Sequence, residues 1–335
     1  MLRSVFMNGV ALLLLFALSG AAQEQTPLWV VSLHGKFGYI NRQGQMAIPA
    51  NFAFAWPFNE GLASAWVGDQ QNSKAGYIDS SGKLVIGARF DDARAFHDSL
   101  AAVSIGGQWS FIDKAGARLT TEDYEDLHDF SEQRGAFRLR MKWGYLDVHG
   151  HTAIPAQYNL AGSFSQGLAW VFRGSHCGFI DLQGQVVIPL AFDRCSDFSQ
   201  GLAAVEIEEH WGYINPAGKF QIRPRFVSAL SFSEGLAAVE FRGAWGYINP
   251  NGRFVVRPQF FSVNGRQAAT SFSQGKACVK LRDRWAFINQ QGKVVIPPKF
   301  VQGGKFQGGL AGVCDTPSHC GYIDDTGQYV WSGDR

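Results

Sequence analysis

Five cysteines, eight histidines and one dense acidic stretch are the residues of this 335-residue chain that could carry covalent, acid–base or metal chemistry. In an oxidising compartment cysteines pair. Cys314 and Cys320 flank a five-residue loop and fall close enough to bridge if the strands on either side are in register. Cys177 and Cys195 belong to one structural unit, as argued below, and form the second candidate pair. Cys278 is left over in an apolar run and reads as a buried thiol; simple apolar packing is the competing role for all five.

The acidic stretch holds Glu122, Asp123, Glu125, Asp126, Asp129 and Glu132. Hard oxygen ligands of this kind suit calcium, but the Asp-x-Asp-x-Asp-Gly spacing of a calcium loop is missing, and a solvated face is the expectation. His149 and His151 share one side of an extended segment without a further Cys, His or carboxylate at ligand spacing. Nine Asp or Asn residues recur along the chain: Asp at 79, 113, 147, 181 and 324, Asn at 41, 215, 249 and 289. A turn cap tolerates that exchange and a general acid does not. Four histidines (His34, His176, His210, His319) sit at loop positions that hold other residue types elsewhere in the chain. No nucleophile elbow, phosphate loop or dinucleotide fingerprint is present. The expectation is no catalytic residue, no metal and no cofactor.

The ends and the charge set the frame for these residues. Arg3, the apolar run Val10 to Leu18 and the small residues Ser19, Gly20, Ala21 and Ala22 read as a cleavable secretory leader, residues 1–22. Residues 23–27 read as a short linker, and residues 28–335 as a single repeat domain. The apolar run falls short of the roughly 20 residues a membrane span needs, and no cysteine stands beside it to take a lipid. A periplasmic or secreted protein is expected. Of 30 basic and 28 acidic residues, loss of Arg3 leaves 29 against 28, so nothing steers toward polyanions, and a nucleic-acid partner is not expected.

The elements that position these residues repeat. The residues Gly38, Gly76, Ser110, Gly144, Gly178, Gly212, Gly246, Ala286 and Gly321 each follow an anchor position, with steps of 38, 34, 34, 34, 34, 34, 40 and 35. Self-similarity at a fixed period signals a repeat architecture. The clearest copy runs Trp211-Gly212-Tyr213-Ile214-Asn215, Gly218, Phe220-Gln221-Ile222-Arg223-Pro224, Phe226, and Phe232-Ser233-Glu234-Gly235-Leu236-Ala237-Ala238-Val239.

Runs of four to six residues rich in Val, Ile, Phe, Tyr and Trp, bounded by Gly and Pro, have the spacing of a β-meander. Asp or Asn with Gly three residues later is turn chemistry. Pro49, Pro155, Pro189, Pro224, Pro258 and Pro297 cannot donate to a ladder, so each is expected to end its strand. Each unit then reads as Leu-Ala-x-Val, a hairpin loop, Trp-Gly-Tyr-Ile, a tight turn, Val-x-Ile-Pro, and a short fourth segment with the Phe pair. Cys177 stands in the Trp position of its unit and Cys195 in that unit's fourth segment.

Within Trp-Gly-Tyr-Ile, Trp and Tyr fall on one face and Ile on the other, so neighbouring units must cover both. The glycine beside each Trp leaves room for a close approach by a neighbouring ring or backbone. The fold class is all-β: tandem meander repeats of roughly 34 residues stacked as a β-propeller-like array, with an open solenoid or superhelix as the alternative.

These motifs resemble the WG-repeat family, also called KWG repeats, from about residue 28 to 331. The resemblance is fullest in the units opening at Trp143, Trp211 and Trp245. It implies a bacterial repeat scaffold acting through binding, and it brings no catalytic residues. The third unit departs, with Ser110 for Gly and Thr120-Thr121-Glu122-Asp123-Tyr124 for Ile-Pro-x-x-Phe. The seventh carries extra residues around Val263 to Thr270; insertions of this kind map to one face of such arrays. The expected function is an extracytoplasmic scaffold for a protein or cell-envelope partner. The alternatives are a carbohydrate or peptidoglycan binder stacking sugars on Trp56, Trp66 and Trp170, and a hydrolase with its site on one rim.

Overall fold

The computed structural model describes residues 27–69, 71–262 and 267–334; the expected leader and most of the linker lie outside them. The described chain forms nine small antiparallel sheets in sequence order, arranged as a nine-bladed β-propeller. No helix among the described residues is long and apolar enough to cross a membrane.

The sixth blade shows how the repeat makes a sheet. Its strands Arg194–Cys195, Ala203–Ile207, His210–Ile214 and Phe220–Phe226 pair in that order. The short segment thus pairs with the Leu-Ala-x-Val strand that follows it, and the sequence reading that closed the preceding unit with it is corrected. Only Asp193 separates Phe192, the end of the fifth blade, from Arg194, the start of the sixth, so the chain passes from sheet to sheet almost without a loop.

The prolines require a second correction. Strand Phe220–Phe226 runs straight through Pro224, as Met46–Phe52 runs through Pro49. Trp211 faces Phe226 and Tyr213 faces Ile222, so the edge strand spends four residues where its partner spends two. Pro224 sits in this bulge on an edge strand, where its missing N–H leaves no ladder bond unmade. The bulge also explains Gly212: a Cβ there would lie 2.6 Å from the Ile222 carbonyl oxygen and 2.7 Å from the Pro224 nitrogen. The close approach comes from the next strand of the same sheet.

At the tight turn, Asn215 Oδ1 accepts the N–H groups of Ala217 and Lys219, both at 3.1 Å, and Gly218 takes a φ of +73°. The same two-bond cap forms at all nine Asp or Asn positions.

Successive blades are joined by three recurring contacts. The Tyr or Phe of Trp-Gly-Tyr-Ile packs against the Phe of the next blade, from Tyr39–Phe58 at 4.8 Å to Phe287–Phe306 at 5.1 Å between ring centroids. Each buried pair brings a large apolar area and a favoured edge-on geometry. The serine after that Phe donates to the corresponding Phe carbonyl one blade on: Ser131, Ser165, Ser199, Ser233 and Ser273 reach Phe164, Phe198, Phe232, Phe272 and Phe306 at 2.6–2.8 Å. The following Glu or Gln accepts the N–H of the next blade's glycine, as Gln200 does from Gly235 at 2.9 Å. Phe-Ser-Glu-Gly is therefore a linking motif, and Tyr and Ile of one strand do face opposite neighbours: Tyr213 packs with Phe232 and Ile248 of the seventh blade.

The irregular units keep the plan with strands removed. The third sheet has three strands; the bridges Trp109–Tyr124 and Ile112–Arg118 stand for its fourth. The eighth also has three, with the bridge Ala269–Val279 in place of the short first strand.

Candidate functional site

The first sheet has three strands as well, Trp29–Leu33, Lys36–Ile40 and Met46–Phe52. Among the described residues it has no short leading strand, and it abuts the ninth sheet, Gln302–Gln307, Leu310–Cys314, His319–Ile323 and Tyr329–Asp334. The two are separate sheets, so the ring closes by packing and side-chain bonds. Trp29 Nε1 donates to the Gln307 carbonyl at 3.1 Å, and Tyr322 Oη to the Val30 carbonyl at 2.9 Å.

This seam lacks the three regular contacts, for reasons written in the residues. Gly308 stands in the Glu/Gln position and offers no side chain. Pro27 stands in the glycine position, with no N–H to give. Leu28 and Trp29 follow directly, so among the described residues no phenylalanine from the first blade meets Tyr322, which stays half-buried where every other repeat tyrosine is fully buried. Trp29, Val31, Ile40 and Leu310 form the small buried cluster here.

The result is a cleft of about 910 Å³. Its walls are Val30, Val31 and Phe37 of the first blade, Trp285 and Lys280 of the eighth, and Gly312, Tyr322 and Trp331 of the ninth. Small residues of the ninth blade border it: Cys320 where five blades carry Trp, Gly312 where four carry Ala, and Gly303-Gly304 in the first strand. Gly303 has no alternative, since a Cβ there would lie 2.4 Å from Cys278 Sγ. A second hollow of about 360 Å³ shares Val30, Gly312 and Tyr322 and extends toward Leu28, Gln307 and Gly308. The two hollows flank Tyr322.

The residues singled out from the sequence fall as follows around this site. Cys314 and Cys320 are directly opposed in register and bridged, S–S 2.05 Å, and line the cleft. Cys177 and Cys195 are bridged at 2.08 Å and tie the fifth blade to the sixth. Cys278 is free and fully buried, and burial pushes its thiol well above the usual range. The acidic stretch is dispersed: Asp126 pairs with Arg94, Asp123 with Arg118, Glu125 with Arg138, and Glu132 accepts from Gly167 N. No group of three metal-ligating side chains occurs among the described residues. His149 and His151 lie with ring centroids 6.2 Å apart on the surface, His151 beside Asp147. Trp56 is 48% exposed, Trp66 and Trp170 are half-buried, and none of the three lines the cleft.

The sequence points to the third and seventh units as the irregular ones, and of these only Gln267, at the end of the seventh unit's insertion, reaches the cleft; residues 263–266 lie outside the described residues. The signals that mark the cleft in the sequence are Pro27 in the glycine position and Gly312 before Val313; Cys320 in the Trp position is shared with Cys177 of the fifth blade.

The family model for the WG containing repeat matches residues 37–67, 76–109, 143–175, 178–209, 211–243, 245–285 and 285–315. No curated protein matches the sequence. Among solved structures, the chain is similar to a eukaryotic initiation factor, with 12% identity and a TM-score of 0.54 over 93% of this chain and 85% of that one. It is also similar to BamB from Moraxella catarrhalis, with 12% identity and a TM-score of 0.45 over 90% and 97%. At such identities the likeness is one of fold. With seven matched repeats covering most of a nine-bladed ring, the chain belongs to the WG-repeat family.

Proposed function

We propose that this protein is an extracytoplasmic, non-catalytic scaffold that holds a protein or cell-envelope partner in the seam cleft. The observation that carries this reading is the apolar cleft of about 910 Å³ at the junction where the repeat's own packing is incomplete. Clefts of this size with apolar walls and a few polar groups are the usual form of a binding site. Two disulfides and the leader-like residues 1–22 support an oxidising, extracytoplasmic setting.

Photo-crosslinking tests it. Benzoylphenylalanine replacing Phe37, a cleft wall, is expected to trap a defined envelope protein in cells. The same group replacing Phe261, which is 64% exposed on the seventh blade, is expected to trap none. Equal crosslinking from both, or none from Phe37, contradicts the reading.

One observation favours carbohydrate binding as a second reading. Phe54 and Trp56 are exposed and packed edge-on at 5.2 Å, and Phe54 meets Phe37 of the cleft wall at 5.0 Å. Sugar rings stack on such surfaces. A glycan array on which the native protein and Trp56→Ala give the same blank result would end this reading.

A further inference from the structure

We propose that the seam cleft accepts an extended peptide strand from a partner, with a small residue followed three positions later by phenylalanine, which completes the first blade. The proposal rests on the seam-binding reading above and names the chemistry of its ligand.

The repeat itself displays what a complete junction contains. In the second blade the short strand Phe54–Ala55 lies beside Ala63–Val67, and Ala53 N–H and Trp56 N–H bond the carbonyls of Trp66 and Ser64. The chain then delivers Phe58 onto Tyr39. The seventh blade does the same with Ser228-Ala229-Leu230-Ser231-Phe232: Phe232 lies 4.9 Å from the Tyr213 ring, and the Tyr213 hydroxyl donates to the Leu230 carbonyl. Buried alanines at this position, Ala55, Ala93 and Ala161, show that the site takes a small side chain.

By register, Ser32 and Val30 of the first blade correspond to Trp66 and Ser64 of the second. The track of the strand that is absent among the described residues therefore starts in the larger hollow at Ser32, beside Gly333 of the ninth blade, passes Val30 and Tyr322, and ends in the smaller hollow at Leu28 and Gln307. Its hydrogen-bonding groups and its aromatic platform are in place. Tyr322 already uses its hydroxyl on Val30, the carbonyl that the N–H of an added strand would bond.

The chain's own preceding residues do not match the position. In complete blades a two-residue turn with both φ values positive, Gln200 at +52° and Gly201 at +81°, brings the short strand back. Pro27 holds the glycine position, and proline is fixed near −65°. Counting back by the same spacing puts Glu24 where the phenylalanine belongs. Addition of an extended peptide to an open sheet edge, with backbone bonds for affinity and pockets for alternate side chains, is a general recognition mode.

Calorimetric titration of the secreted full-length protein with a synthetic peptide copying residues 226–234, Phe-Val-Ser-Ala-Leu-Ser-Phe-Ser-Glu, tests this. Saturable binding at one site is expected. Replacing the peptide's second phenylalanine with glutamate should weaken binding by about 10- to 100-fold, since a buried aromatic is lost. Replacing its alanine with tryptophan should abolish binding. No binding overturns the proposal, whether because residues 1–26 fill the track or because a second copy does, the latter visible as a dimer in light scattering. Equal binding of all peptides overturns it too. If these titrations fail while the Phe37 crosslink persists, the strand proposal alone falls and the scaffold reading stands.

Discussion

The hydroxyl of Tyr322 donates to the carbonyl of Val30 across 292 residues of sequence, at 2.9 Å. In the second blade the equivalent carbonyl, that of Ser64, is bonded by Trp56 N–H at 3.0 Å, so a side chain at the seam does what the backbone does elsewhere. Tyr322→Phe is expected to lower stability by about 1 kcal/mol, the net worth of one such bond, read as a shift of the urea midpoint. An unchanged midpoint would mean that this bond adds nothing to the hold of the seam.

The serine ladder should cost more to break where the bond is enclosed between blades. Ser199 Oγ donates to the Phe232 carbonyl at 2.7 Å. Ser199→Ala leaves that carbonyl without its donor and is expected to destabilise by about 1–3 kcal/mol. Thermal unfolding against the native protein checks it, and a change below the scatter of replicate scans would show that water replaces the hydroxyl.

Turn caps give a pH dependence with a definite sign. The Ser81 hydroxyl, with the Lys83 and Ser81 N–H groups, holds the Asp79 carboxyl below the usual carboxylate range. A carboxyl whose folded value is lowered contributes stability above its unfolded pKa, about 3.9, and loses it as pH falls through the folded value. Asp79→Asn, the residue type used at Asn41, Asn215, Asn249 and Asn289, should leave stability unchanged at pH 7. It should also flatten the decline between about pH 4 and pH 2. Denaturation midpoints at pH 7 and pH 3 for both proteins would reveal it.

The two disulfides should differ in worth. Loop-closure entropy gives about 3 kcal/mol for a closure of 18 residues and about 2 kcal/mol for one of 6. Replacing Cys177 and Cys195 together by alanine is expected to lower Tm further than the same change at Cys314 and Cys320. Cys278 should resist maleimide in the native protein and react once in denaturant, as mass spectrometry would show.

The repeat is legible in the sequence because its signals are local and redundant. Tyr213 and Ile214 declare two apolar faces, and Asn215 with Gly218 declares a turn, whichever blade is read. The prolines mislead because the rule against proline in a ladder applies to paired positions, and Pro224 sits in a bulge on an edge. The short segment misleads because the single residue Asp193 between two strands carries no turn signal. The cleft is not legible because it arises from what the seam residues omit: Pro27, Gly308, Gly312 and Cys320 each look tolerable alone, and only the closed ring places them together.

Hydrogen exchange resolved to single amides reads out directly whether the ring is closed with one strand position unfilled. In such a ring the Ser32 amide, on the open edge, exchanges much faster than that of Trp66, its match in the second blade, which is paired with Phe54, and slows when the strand peptide is added. Protection of Ser32 equal to that of Trp66 in the protein alone would contradict it.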